Sequence, residues 1–395
     1  MSDPPGPLHG NLIVEFGNLI AAPYAAMLLA DLGARVVKVE PTTGDLGRGF
    51  GPFLNGESTF FMTVNRGKES LALDPDDWVS KRVLDHLVRK ADVLIHNLRH
   101  GAIDRLGFGE ERARELNPTI VYAAISAFGA TGPYAERAGI DIVFQGESGM
   151  ISITGAAGDG PRKTATTIAD YVAGTNAAMA IAAALAESPR RGRRVDVSLR
   201  DGVMAVQSGW NALALAGDAQ PERTGTASPY LAPNQVFQAA DGPFTLAIVS
   251  DRHFEILASS LGRPDLSRDY PTNERRMEHR ESLARKLARV FKTETADHWV
   301  GMLGEAGLPV GHVLTLLESL HDPQARHNQM IVEWDHPVAG KVETTGSPIQ
   351  VDRAPARAST APATLGRHTR PLLRELGVDP ETIERMIQTG TAVVS

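Results

Sequence analysis

A lone acid, Asp170, stands where a polar lead-in gives way to an Ala-rich run between Thr166 and Glu187, and Gly174 follows four residues later. Ala is the strongest helix former, and Ser188-Pro189 marks the stop, so Asp170 falls at or just before a helix N-terminus. The free first-turn N–H groups and the helix dipole favour negative charge there. Two kinds of chemistry are open to such a residue. Asp is a preferred helix cap, and an Asp carboxylate is also a competent covalent nucleophile. Gly174 either lets a neighbouring backbone approach closely or is a tolerated helix glycine.

Other routes to chemistry are missing. The chain has no Cys, which excludes disulfides, thiolate catalysis and Cys-ligated metals. It carries no GxxxxGK[ST] loop and no HExxH. The first candidate βα turn, Gly17-Asn18-Leu19-Ile20-Ala21-Ala22, has one glycine where a dinucleotide fingerprint needs three.

The elements that must position these residues read as a doubly wound α/β domain. Leu12–Phe16 is a short buried strand, and Ala25, Leu28, Leu29 and Leu32 form a helical stripe after Pro23, closed by Gly33. A second strand follows over Ala34–Glu40, giving a βαβ unit. The alternation continues with a strand at Ser70–Asp74 and a helix through Val79, Val83, Leu84, Leu87 and Val88. Further strands are expected at Asp92–Asn97, Thr119–Ser126 and, after a solvated basic turn Arg190–Arg194, Val195–Leu199. Ligands of such sheets bind beyond the carboxyl ends of the strands. Polar residues gather at those ends: Gly17-Asn18, Glu40, Asn65 to Lys68, Asn97 to Arg99, and residues 127–133.

With 395 residues the chain exceeds a usual single core, so two domains are expected. The larger spans 1–217 and is completed by 331–395; residues 218–235 form a Pro- and Gly-punctuated linker, and 236–330 a smaller α+β domain. In that smaller domain a hairpin is expected over Val236–Ser250 with its turn at Asp241-Gly242, followed by helices over His253–Leu261, Arg276–Phe291 and Ala296–Ala306. Trp334–Arg353 reads as β-rich, and helices over Thr369–Leu376 and Pro380–Thr389 return to the first domain. Composition is that of an ordinary globular chain, 42% apolar and 22% charged, and the net charge is 40 − 47 = −7. That balance argues against a nucleic-acid or membrane-surface partner. The first residues lack a signal-peptide pattern, and the apolar run Tyr171–Ala186 reads as too short to span a bilayer, so a cytoplasmic location is expected.

Seven stretches follow one another in an order that resembles a known family: GNLIAAPYAAMLLADLGARVVKVE, GDLGRG, VNRGKESLALD, HNLRHGAIDRLG, GATGP, AGIDIVFQGESGM and IADYVAGTNAAMAIAAAL. Order and spacing are similar to the class III CoA-transferases, whose fold also serves α-methylacyl-CoA racemases. The resemblance covers nearly the whole chain, with weaker echoes after residue 240. It implies that Asp170, in the D-x-x-x-G opening the Ala-rich helix, is the catalytic nucleophile. That carboxylate would attack an acyl-CoA thioester to give an acyl-aspartyl anhydride and then an aspartyl-CoA thioester, with coenzyme A as substrate and no permanently bound cofactor. The resemblance further implies a small-molecule carboxylic acid acceptor and two subunits interlocked as a homodimer.

The racemases carry an AG-H-D motif in which the His is one of two proton-moving groups. Here the segment is Ala138-Gly139-Ile140-Asp141, and Ile140 cannot move a proton, which disfavours the racemase alternative. The formyl-CoA:oxalate enzymes carry a glycine run where this chain has Ala227 to Pro233, an Arg at Pro41 and a Gln at Ile20; these departures speak against oxalate as acceptor. CoA brings phosphates and an adenine, which call for cations and backbone N–H groups. By the resemblance, Asn18, Asn97, Leu98, Arg105 and Asp141 belong to the CoA site, with Leu73 to Asp76 near the adenine and Arg48 in a shared motif. Gly129, Thr131 and Gly132 would offer backbone donors to a developing oxyanion. On chemistry alone Arg66, Lys68 and Arg99 are candidates for the phosphates, and each reads more readily as a solvated charge.

Overall fold

The protein was analysed as a computed structural model, which describes residues 6–358 and 360–395. By its internal contacts the chain divides into two compact units. One comprises the residues up to 150, 164–211 and those from 323 onward; the other comprises 151–163 and 212–322.

The large unit is built on a sheet that, among the described residues, has seven strands: β1 (Leu12–Phe16), β2 (Arg35–Glu40), β3 (Lys68–Leu73), β4 (Val93–His96), β5 (Val121–Ser126), β6 (Arg193–Ser198) and β7 (Ala392–Val393). Their order is β7-β3-β2-β1-β4-β5-β6, and every pair is parallel except β7 on β3. Alternation along β1 shows why the strands are apolar almost throughout. Val14 packs with Val37, Leu71 and Leu94 on one side, and Ile13 packs with Val36, Val93 and Ile95 on the other.

Both faces are covered. Helix α1 (Ala21–Asp31) and the long Ala-rich helix α4 (Ile168–Leu185) share one core through Leu29, Ala173, Ala177 and Ile181. Helix α2 (Trp78–Lys90), capped by Asp77 accepting from the Ser80 N–H, lies on the opposite face with Leu84 and Leu87. There it meets Leu373 of α5 (Thr369–Glu375) and Met386 of α6 (Pro380–Gln388). Helix α3 (Asp141–Glu147) lies between β5 and α4 in the chain.

Several boundaries differ from the sequence reading. Strand β3 begins at Lys68 rather than Ser70, and β6 begins at Arg193, so two residues of the expected basic turn belong to the sheet. Ion pairs of Arg193 with Glu187 (2.7 Å) and Arg194 with Asp196 (2.6 Å) let those arginines lie along the edge strand. The helix expected over Arg276–Phe291 is two helices, Asn273–Glu278 and Arg280–Phe291, meeting at His279. The Ala-rich run was read as too short for a membrane, but α4 starts at Ile168. Its 18 residues, with mean hydropathy 1.3, satisfy the length and composition of a span. In this fold α4 is a core layer packed on α1, β5 and β6.

The second unit holds a three-stranded antiparallel sheet in which Pro243–Ala247 pairs with Asn234–Gln238 and with Val310–His312. Its core is aromatic: Phe244 and Phe291 meet edge-on at 5.0 Å, and Trp299 donates its ring N–H to the Phe291 carbonyl at 2.8 Å. The Asp241 carboxylate in the hairpin turn accepts from the Ala296 N–H at the start of helix Ala296–Glu305.

Candidate active site

The topology decides where α4 begins. It connects β5 to its parallel neighbour β6, so the helix runs back against the strands and its N-terminus lies at their carboxyl edge. Asp170 is the third residue of that helix. It therefore lies in the first turn, at the helix N-terminus as the sequence indicates, and is not the cap. Thr167 holds the N-cap position and makes no side-chain cap bond. The capping acceptor comes from α3: Asp141 Oδ1 accepts from the Ala169 N–H at 3.0 Å, and its Oδ2 accepts from Gln145 Nε2 at 2.7 Å.

With the capping bond supplied by Asp141, Asp170 is not needed as the cap. Burial, with the Asp141 carboxylate adding to it, pushes the Asp170 carboxyl up to about 6. Tyr171 and Tyr24 meet edge-on at 4.9 Å beside it, and burial, Tyr24 and Asp170 together raise the Tyr171 hydroxyl. A desolvated carboxylate, poorly solvated yet largely ionised at neutral pH, suits a nucleophile or a base. Gly174 seats this helix. A Cβ there would lie 2.8 Å from the Ala21 carbonyl oxygen and 3.0 Å from the Tyr24 ring, so only glycine lets α4 approach α1 this closely.

The strand order also places a crevice. From β1 the chain proceeds to β2 and β3 on one side and resumes at β4 on the other, making β1/β4 the switch point where such sheets bind ligands. Asn18 and Asn97 meet there. The Asn18 N–H donates to Asn97 Oδ1 and Asn97 Nδ2 donates to the Asn18 carbonyl, both at 2.9 Å. Leu98 is half-buried just beyond, and Asp76, Arg99 and Arg105 are exposed. Leu73 is buried in β3, where it opposes Ala392 of β7. Arg48 turns inward, bidentate on Glu40 (2.7 and 2.9 Å) with its guanidinium 3.7 Å from the Phe61 ring centre. Gly129 and Gly132 both have positive φ in the loop after β5, and Ile140, 67% exposed, precedes Asp141.

Arg66 and Lys68 are neither solvated nor open to a phosphate. Arg66, 2% exposed, forks onto Asp31 at 2.9 and 2.5 Å. Lys68 reaches Glu15 (2.8 Å), the Pro23 carbonyl and Asn65 (both 2.7 Å). Parallel strands are covered on both faces, so a cation entering β3 must meet an acid inside.

That acid, Glu15, belongs to a buried network that the sequence reading missed. Lys38 lies 2.8 Å from Glu15, from Asp45 and from the Gly17 carbonyl. Burial works to lower the Lys38 pKa, but Glu15, Asp45 and Glu40 outweigh it and hold it above the usual lysine value. Lys68 is instead pushed down to about 8, by burial against Glu15 and with Lys38 adding to the fall. Asp45 Oδ1 accepts from the Leu19 N–H at 3.1 Å, holding Leu19 at φ 62, a left-handed conformation costly for leucine. Lone Glu15 and Lys38 inside apolar strands were the available signal, since a buried charge needs a partner.

Comparison with known proteins agrees with this architecture. The sequence model of CoA-transferase family III matches residues 8–369. The acetyl-CoA:oxalate CoA-transferase of Acetobacter aceti is 36% identical over 356 residues, covering 88% of this chain and 90% of that protein. The succinyl-CoA:glutarate CoA-transferase of Mus musculus is 33% identical over 391 residues, covering 97% and 90%. Among solved structures, a CAIB/BAIF family protein from Brucella suis superposes with a TM-score of 0.82 at 32% identity, covering 94% of this chain and all of that one.

Proposed function

The chain belongs to CoA-transferase family III, and we propose that it moves CoA from an acyl-CoA to a carboxylic acid through covalent intermediates on Asp170. The observation that carries this reading is the half-buried Asp170 carboxylate in the first turn of α4, raised by burial and then by the Asp141 carboxylate.

The steps balance without a further reactant. The Asp170 carboxylate attacks the thioester carbon, the C–S bond breaks, and an acyl-aspartyl anhydride forms with CoA thiolate. The thiolate attacks the Asp170 carbonyl carbon, releasing the donor acid and leaving an aspartyl-CoA thioester. The acceptor carboxylate then displaces the thiolate, and the thiolate attacks the new acyl carbon, giving product acyl-CoA and the free Asp170 carboxylate. Poor solvation of Asp170 supports the first attack. Backbone donors of the Gly129–Gly132 loop would meet the oxyanions. The Asn18/Asn97 crevice, with Leu98, Asp76, Arg99 and Arg105 around it, would take the nucleotide end, and Arg99 and Arg105 are the cations free to reach its phosphates. The inward Arg48 would shape the site from beneath, through Glu40 and Ser70. A homodimeric, cytoplasmic enzyme completes the reading.

The acceptor proposed first is a dicarboxylate, because relatives carry glutarate and oxalate in their names. The test supplies succinyl-CoA with glutarate, oxalate or a monocarboxylate and follows new acyl-CoA by chromatography. New thioester with at least one acid, absent in Asp170→Ala, is the expected result. No transfer to any acid, together with α-proton exchange on a branched acyl-CoA, would overturn it in favour of the racemase.

A further inference from the structure

The residue that organises the approach to Asp170 is a neutral amide. Gln145 is completely buried on α3, and both ends of its carboxamide are used. Its Nε2 donates to Asp141 Oδ2 at 2.7 Å and lies 3.4 Å from the Thr166 carbonyl; its Oε1 accepts from the Thr164 N–H at 2.9 Å. Asp141 in turn passes its other oxygen to the Ala169 N–H, one residue before Asp170. The segment 164–169 therefore leads into the helix pinned at three backbone groups by two side chains from one turn of α3.

We infer that Gln145 is a positioning residue for the Asp170 carboxylate, a latch that fixes Asp141 and the segment leading into α4 so that the nucleophile has a single orientation. The inference rests on the reading of Asp170 as nucleophile.

The chemistry explains why this position takes an amide. Only a group that donates and accepts at once can serve a carboxylate oxygen and a backbone N–H together. A glutamate would offer no donor to Asp141 and would set a third acid beside two. An apolar side chain of the same size would take the donor away from the buried Asp141 carboxylate. The latch also keeps Asp141 close enough to act on Asp170, whose carboxyl is raised by burial and then by Asp141. The other titrating groups that face Asp170 are Tyr171 on its own helix and, through Tyr171, Tyr24 on α1.

The test compares wild type with Gln145→Leu and Gln145→Glu in three measurements on the full chain: the single-turnover rate of adduct formation on Asp170 across pH, the affinity for the acyl-CoA, and peptide-resolved hydrogen exchange. For Gln145→Leu a rate about 100-fold lower is expected, the size of loss that follows a slight misplacement of a reacting group. Acyl-CoA affinity should stay within threefold (about, by the same separation of binding from orientation), and faster exchange should appear in the peptide covering 164–170 while β1, β4 and β5 keep their protection. In Gln145→Glu the added acid should move the pH midpoint of adduct formation up by about one unit. If Gln145→Leu unfolds as a whole, the midpoint in Gln145→Glu decides.

Wild-type rates, midpoints and exchange in both variants would overturn the latch, as would a loss confined to affinity. A wild-type protein that forms no adduct would instead sink the reading of Asp170, and the exchange at 164–170 would still judge the latch.

Discussion

Two groups of acids withdrawn from water, fully or in part, lie in the large unit, and the fold treats them in opposite ways. On the α1 side of the sheet, Glu15, Glu40 and Asp45 are each matched by a cation: Lys38 and Lys68 around Glu15, Lys38 again at Asp45, and Arg48 on Glu40. At the start of α4, Asp141 and Asp170 face each other, and the side-chain partner of Asp141 is the neutral Gln145. Charge compensation makes the first group structural. On the proposed reading its absence fits the second for reaction, because an acid that has lost water without gaining a cation keeps a raised pKa and an unspent capacity to attack.

The sharpest break in that comparison is chemical. Asp170→Asn should lower CoA transfer by about 10,000-fold or more, the loss typical of removing a covalent nucleophile, measured as initial rate at saturating acyl-CoA. In the wild type, transfer should climb as pH rises through about 6, because the attacking form is the carboxylate and its carboxyl is raised to about 6.

The compensated group should fail differently. Lys38→Met leaves Glu15 and Asp45 buried against one remaining lysine and should destabilise the protein by about 3–5 kcal/mol, read from urea unfolding. A Lys38→Met protein as stable as wild type would mean that the network is not a set of interdependent pairs.

The same Asp170→Asn variant should be more stable than wild type at pH 8. A carboxyl raised in the folded state resists losing its proton, so the folded protein is penalised wherever the group is ionised. That penalty is present above about 6 and fades as pH falls toward the unfolded value near 4. Allowing for the partial exposure of Asp170, the gain should be about 2 kcal/mol at pH 8, vanishing at pH 4 when unfolding is followed across that range. A gain that did not depend on pH would contradict the uncompensated acid.

At the small end, Arg112 pairs with Asp85 and Glu115 on the surface. Arg112→Ala should leave the unfolding midpoint unchanged within error, since exposed pairs gain little from their charges. A clear shift there would blur the distinction between buried and exposed pairing.

Much of this molecule is legible in the sequence because local signals and the fold agree. The apolar runs of β1, β2, β4 and β5, the helix stripe of Val83, Leu84 and Leu87, and the Asp-then-Ala pattern at α4 each follow from periodicity and propensity. What escaped depends on strand order and on contacts between residues far apart in the chain. Nothing local says that β4 lies beside β1, so the Asn18–Asn97 pair could not be read from residues 79 positions apart. Arg66 and Lys68 looked like surface cations because their acids, Asp31 and Glu15, sit in other elements. Asp141, which the resemblance assigns to the CoA site, also accepts from Ala169 and Gln145, bonds that nothing local in the sequence announces. Gln145 lies within AGIDIVFQGESGM, one of the stretches that carry the resemblance, yet one glutamine in a short helix has no assignable role until its partners are known.

The measurement that bears most directly on the uncompensated acid is the intact mass of the protein after mixing with a small panel of acyl-CoAs, wild type beside Asp170→Ala. The account expects a covalent acyl or CoA adduct on wild type alone, removed by hydroxylamine. Equal adducts on both proteins, or none on wild type with an acyl-CoA that it turns over, would contradict it.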